Sequence, residues 1–576
     1  MDIDLTLRNI WDELYPGGNY EVLDAFIRDL EKLRKTTGLP EHPEEWYRDV
    51  VVYSLYVDLF NEDFCGLIEK LDYLQDLGVS CLWLLPILES PMRDAGFDIS
   101  NYRKIRPGLL QCKGNGEAGQ QLFDRFLEEA HQRGIRVIFD IAINHVSEEH
   151  PWFREAKKSP GNPYRDYFIW TKNTDLYKEA RIIFEGLCTS NWEKEGEWYY
   201  FHRFFEFQPD LNYRNPEVLI GMCRNFIYWL QKGVDGFRAD AIPYLWKEDG
   251  TFFENLPQTH TIVLFFRAVV EYFRPHTLLL AEACQKPAEV VKYFGTGDEC
   301  NAGYHFPLMP QIFKSVAAQN AKPVQTTLSR KVTPPIPAGT QWFTFLRCHD
   351  ELSLELVYVT EEDRKYIHDA YCKKPEWDFR QGQGISARLA ELMDRDHRKI
   401  NLVFSIMLTL PRTPVIYYGD EFAKLNDREY YEKMIRKTGK DDTRFLVRGE
   451  VNWQMVEKEL ADPETPGAQV FSSVSNMIRN RNSYRCFGRG EIEWLTVRNM
   501  RGQIIDKVMA FLRTYEDEKV LLIHNLSGEE QTVFFEDSEN VTNTDLLGQK
   551  TEKCKTWEYL TLTPFSFHWF DTGEKR

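Results

Sequence analysis

"GVDGFRADA", residues 233–241, is the stretch on which the fold turns. Val234, Gly236, Phe237 and Ala239 belong to a buried strand, yet Arg238 and Asp240 interrupt it. Side chains alternate across a strand, so both charges point to the same side. Buried without partners, they would cost several kcal/mol. Two readings stay open at this point: an ion pair closed inside a core, or a strand end that opens into a site where charge is wanted.

Similar apolar runs, rich in β-branched and aromatic residues, lie on both sides of this stretch. They are "VVVYSLYV" (50–57), "VSCLWLLP" (79–86), "IRVIFDIAINH" (135–145), "TLLLAEAC" (277–284), "WFTFLRCHD" (342–350) and "TPVIYYGDE" (413–421), with a weaker candidate at "ECNAGYHFP" (299–307). Longer amphipathic stretches separate them, such as "FCGLIEKLDYLQDLG", which closes on a glycine stop. Strands alternating with helices imply a parallel sheet, and eight of them over this length imply a TIM-type (β/α)8 barrel. The expected class is therefore α/β.

Two segments break the rhythm. The aromatic-rich stretch 146–216 reads as a long insertion after the third strand, and 488–576 as a C-terminal antiparallel β-sandwich without intervening helices. Residues 1–46 read as a helical N-terminal extension, leaving 47–145 and 217–487 for the barrel.

Composition limits the partners. A net charge of −18 argues against nucleic acid and anionic membranes, which are bound by clustered Lys and Arg. No apolar run reaches transmembrane length, and "MDIDLTLRNIWDELYPGG" lacks a basic segment followed by an apolar one, so no secretory signal is expected. The eleven cysteines are scattered, odd in number and without a C-x-x-C pair. That pattern predicts reduced thiols in a cytoplasm rather than a disulfide framework or a zinc site. The oligomeric state is not legible.

In such a barrel, polar residues at the carboxyl ends of strands line the active site. The candidates are Asp140, Asn144, His145, Arg238, Asp240, Glu282, His349 and Asp350. One strand-end carboxylate alone reads as a helix cap or loop acceptor. Carboxylates at the ends of three separate strands, two with a cationic or histidine neighbour, point to catalysis instead. Two carboxyls across a shared space suit glycosidic-bond chemistry, one as nucleophile and one as general acid. A flanking arginine favours the ionised nucleophile, and an apolar pocket raises the acid's pKa.

The ordered set "DIAINH", "QPDLN", "GFRADA", "AEA", "HDE" and "PVIYYGDE" resembles the α-amylase superfamily of retaining α-glucoside-active enzymes, over roughly residues 47–576. The resemblance implies residues 146–216 as the inserted B domain, Asp240 as nucleophile, Glu282 as general acid/base and Asp350 as the third carboxylate. It implies Arg238 beside the nucleophile, with His145 and His349 on the first glucose. Asp98 matches the aspartate that grips the terminal glucose, and Phe97 replaces the usual tyrosine there. Stretches such as "HRFFEFQPDLNYRNP" and "FLRCHDELSLE" are similar to the trehalose-synthase branch, which interconverts maltose and trehalose. An α-glucosidase or amylase-type hydrolase of maltose or short α-glucans is the alternative. A non-enzymatic, amylase-like transporter subunit is disfavoured, because all three carboxylates are present.

Four departures concern the branch: Cys348 for the usual Asn, Arg412 for Gly, a long segment after Glu421, and "RGEV", which places Arg448 at the glucose-binding arginine. No cofactor is expected. Asn144, Asp210 and the backbone near Tyr244 and Leu245 resemble the family's calcium site, and oxygen donors suit that ion. Lys247 stands where a glutamate belongs, so bound Ca2+ is doubtful.

Overall fold

Eight short strands form a closed parallel barrel in the computed structural model, which describes residues 2–18, 20–112, 119–183, 188–535, 544–548 and 559–572. They are β1 (Val52–Leu55), β2 (Cys81–Leu84), β3 (Arg136–Ala142), β4 (Gly236–Asp240), β5 (Leu278–Ala281), β6 (Ala302–Tyr304), β7 (Gln341–Phe345) and β8 (Thr413–Tyr417). Each pairs with its sequence neighbours, and β8 closes on β1. Nearly every strand residue is buried, as a parallel sheet covered on both faces requires. The weak candidate at 299–307 is β6.

Local chemistry delivers the chain into β4. Asn215 caps the helix Pro216–Lys232 by accepting from the Glu217 N–H, and proline sits in the first turn. Gly233 ends the helix in the left-handed conformation at φ 102°. Three residues later the barrel leaves no room for a side chain at Gly236, where a Cβ would lie 2.5 Å from Leu278. Ala142 pairs with Asp240 and Leu280 with Arg238, so the charged end of β4 lies between the ends of β3 and β5.

After β3 the chain forms a helix, Pro151–Lys158, and a three-stranded sheet of Trp170–Thr171, Trp198–Phe201 and Trp192–Glu195. Its aromatics pack mainly on one another, Phe153 contacting Phe168, Trp170 and Tyr200. Among the described residues the C-terminal strands are antiparallel and form two sheets, one of five strands and one of three. Buried Arg513 ties them to the barrel, donating to the carbonyls of Thr409, Cys486, Phe487 and Gly490. Trp569 and His524 meet Ser405 of the helix His397–Thr409, which precedes β8, at 2.8 and 2.9 Å. At the amino end, the helices Ile3–Leu14 and Tyr20–Thr37 pack through Trp11 and Phe26 on Phe265.

The cysteine expectation needs one correction: Cys65 and Cys112 form a disulfide across 47 residues. The helix Phe64–Glu69 and the loop after Leu110 bring them together, a proximity that scattered spacing does not reveal. Eight other cysteines are free, and Cys554 lies outside the described residues. Among the described residues no helix is long and apolar enough to cross a membrane.

Candidate active site

A cavity of about 380 Å3 opens at the carboxyl ends of the barrel strands, within the size range of small-molecule clefts (about 300–1,000 Å3). Its floor answers the question posed by residues 238 and 240. The Arg238 guanidinium donates to Asp140 and, at 2.9 Å, to Asp240 Oδ1, and lies 3.8 Å from Glu282 Oε1. Trp83 Nε1 binds the other Asp140 oxygen at 2.9 Å. One buried cation thus serves three carboxylates from three strands, and the two readings of the motif merge. Asp140 completes the ion pair inside the core, whereas Asp240 and Glu282 face the cavity.

Burial acts on Asp140 and Asp240 in the same direction. Burial pushes Asp140 up to about 7 against the opposing charge of Arg238. Asp240 is also raised, by burial and by neighbouring Glu282, while Arg238 and His145 pull it back. The arginine therefore moderates the cost of burial without reversing it. Glu282 accepts from the Ala241 N–H at 3.0 Å and from the Cys284 thiol at 2.9 Å. Ala241 presents that N–H from a left-handed conformation, φ 57°, which costs a non-glycine residue roughly 1–2 kcal/mol.

Asp350 lies opposite. Its Oδ1 accepts from Arg448 at 2.8 Å and Arg444 at 3.2 Å, and His349 Nε2 is 3.1 Å from Oδ2. Burial would raise this carboxyl, but His349 and the two arginines hold it well below the usual range. Burial pushes His349 down to about 3 and also lowers His145, so both imidazoles are neutral near pH 7. Phe97 stacks on His349, with ring centres 5.7 Å apart. His145 contacts Gln208 and the Phe204 ring.

The structure places Asp98 elsewhere. It is fully buried, and its oxygens accept from Ser90 Oγ and the N–H groups of Arg93 and Asp94. It organises the loop and does not line the cavity. Asp94, four residues earlier, does; Gln208 holds it at 2.9 Å, and burial raises it to about 6. Both aspartates stand in "RDAGFDISNY", and strand periodicity says nothing about which of them turns inward from a loop. Arg444 was also missed. Its partner Asp442 is two residues away, and only the folded loop carries the pair 94 residues back to Asp350.

The four-oxygen cluster beneath the site holds a side-chain cation. Lys247 Nζ, buried, donates to Asn144 Oδ1 at 2.7 Å and to the carbonyls of Leu211 and Leu245 at 3.3 and 3.5 Å, and pairs with Asp210 at 3.1 Å. The donors suit a calcium ion, but the ammonium stands among them, so these residues do not fit a bound metal. Leu211 takes the place expected of Tyr244, whose ring lies under Arg203 and whose hydroxyl meets Arg181.

Residues 58–461 match the family described as "Alpha amylase, catalytic domain", and 508–566 match "Alpha-amylase SusG C-terminal domain". The chain is 38% identical to a trehalose synthase of Pimelobacter sp. over 86% of this chain and 89% of that one. It is 37% identical to a trehalose synthase/amylase of Mycobacterium tuberculosis over 94% and 92%. A crystal structure of Bacillus licheniformis trehalose-6-phosphate hydrolase superposes with a TM-score of 0.67 at 22% identity, covering 92% of this chain and 100% of the other; at that identity the likeness concerns the fold.

Proposed function

Because the chain belongs to the α-amylase family, we propose that it is a retaining α-glucosyl-transferring enzyme that interconverts maltose and trehalose. The observation that carries this reading is the Arg238 hub. It sets one cavity-facing carboxylate at 2.9 Å and a second at 3.8 Å, in a chain similar to trehalose synthases along nearly its whole length.

In the proposed reaction Asp240 attacks the anomeric carbon of the bound glucosyl unit, while Glu282 gives its proton to the departing glycosidic oxygen. A covalent glucosyl–Asp240 ester forms and free glucose is released within the cavity. Glu282, now a carboxylate, takes the proton from the anomeric hydroxyl of that glucose, whose oxygen displaces Asp240 to give trehalose. The reverse sequence returns maltose. Asp350 and neutral His145 and His349 hold hydroxyls of the retained sugar, and Asp94 with Arg448 grips its far end. Phe97 offers a stacking face. Water must be kept out between the two steps, since water as acceptor yields hydrolysis.

Lys247 supplies the positive charge of the calcium position, so no metal is assigned to the reaction. Eight free thiols among the described residues favour a reducing cytoplasm, with the Cys65–Cys112 disulfide as the exception.

The test is incubation of purified protein with maltose, following sugars by anion-exchange chromatography. Trehalose is expected as the main early product, with slow glucose release. Glucose as the sole product would replace isomerisation with hydrolysis.

A further inference from the structure

On the outer side of the cavity wall, the helix Glu361–Tyr371 ends against the short strand Asp378–Phe379. Three side chains with different donor atoms converge there: His368 in the last helical turn, Cys372 at the helix C-cap, and Asp378 on the strand. One imidazole nitrogen, the thiol sulfur and a carboxylate oxygen all lie within 4.8 Å of one another, and His368 Nε2 is 2.9 Å from Asp378 Oδ1. We infer that this cluster is a binding site for a thiophilic divalent cation of the zinc class, which clips the helix end to the strand.

The donor set decides the class of ion. Calcium and magnesium take oxygen donors, whereas a mixture of nitrogen, sulfur and oxygen suits zinc and its neighbours. Size agrees as well. Donors about 2.0–2.3 Å from a tetrahedral zinc are spaced by roughly 3.4 Å, inside the 4.8 Å that bounds the observed arrangement. His368 and Cys372 are four residues apart and share one face of the helix end. His368 and Asp378 are 27% and 34% exposed, which leaves a fourth position to water.

Local charge points the same way. The carbonyls at a helix C-terminus carry partial negative charge. Burial, with Asp378 and Glu376 adding to it, raises the Cys372 thiol to about 11, a cost that a bound cation would reverse. A second triplet, Cys348, His349 and Asp350, meets the same distance limit at the floor of the cavity. There Arg444 and Arg448 already occupy Asp350, and their charge repels a further cation.

The consequence would reach the substrate. Phe379 and Arg380, which follow Asp378, line the cavity, and so does Arg364, one turn before His368. A clip at the helix end joins these two parts of the wall.

The test titrates the full chain, kept free of oxygen without added reductant so that the Cys65–Cys112 disulfide stays closed, with cobalt(II) alone. One equivalent is expected, with tetrahedral visible bands and thiolate-to-cobalt charge transfer, displaced by zinc(II). Cys372→Ser should abolish the charge-transfer band and weaken binding by at least about 100-fold, more than loss of an outer partner typically costs. Cys348→Ser should leave both unchanged. His368→Gln provides a second route should Cys372→Ser fail to fold, as judged by circular dichroism. Absence of stoichiometric cobalt, or a charge-transfer band that survives Cys372→Ser or His368→Gln, would overturn the site.

Discussion

Asp94 and Asp98 show what a motif tells and what it hides. The stretch reads as a loop at the cavity, but the choice between two aspartates four apart depends on loop geometry that no periodicity encodes. The pair is separable by experiment. Asp94→Asn should lower kcat/KM for maltose by about 100-fold or more with little change in Tm. Asp98→Asn should destabilise the fold by about 1–3 kcal/mol, because an amide NH2 then faces the N–H and O–H donors of the loop. The opposite pattern would return the substrate role to Asp98. Asp240→Asn should remove at least about 10⁴-fold of turnover while the protein stays folded. The pH profile follows from the same residue. Attack needs the Asp240 carboxylate, whose pKa lies above its ordinary 3.8, so kcat/KM should fall on the acid side at a pH above that value, and the limb should persist in Asp94→Asn, which removes a second raised carboxyl of the cavity. His349, already neutral above about 3, adds no limb near neutrality. An acid limb at or below 3.8 would contradict this assignment.

At the scale of elements, the eight barrel strands were readable because each is an apolar run bounded by turn residues. Even β6, three residues long, shows in the sequence as a short break in polarity. The rim sheet of Leu352–Ser353, Gly384–Ile385 and Asp378–Phe379 was not readable, since two-residue strands show no period. Lys247 was noticed as a misfit, but the sequence could not say whether its ammonium entered the oxygen cluster or turned away from it. Lys247→Met leaves Asp210 buried without its counter-charge and should cost about 3–5 kcal/mol in urea unfolding. Treatment with EGTA should leave wild-type activity and Tm unchanged. A Tm that falls with EGTA and recovers with calcium would mean that the oxygen cluster binds the ion after all.

Across the whole molecule, one face of the five-stranded C-terminal sheet joins the barrel core, where Trp569 packs with Phe487 and binds Ser405, while its other face forms a separate core with the three-stranded sheet. The alternation of strands without helices revealed the sheets but not this joint, because Ser405 lies 119 and 164 positions from His524 and Trp569. Arg513→Met would strip the guanidinium from four carbonyls, of which Cys486 keeps the Gly490 N–H, at a cost of about 1–3 kcal/mol for each of the others that finds no water. Barrel and sheets should then unfold together at a lower Tm in calorimetry. Two separated transitions would show that the joint carries little coupling.

Lys247 also changes what the fold requires of its surroundings. An ion held by coordination is in exchange with solution, so a site built on one is filled according to local supply and emptied by any competing ligand. The ammonium at this position arrives with the chain, in a ratio of one per molecule set at synthesis. It has no dissociation constant, and phosphate or citrate cannot withdraw it. The segment after β3, which carries one wall of the cavity, is therefore anchored by a charge that is inherited rather than acquired.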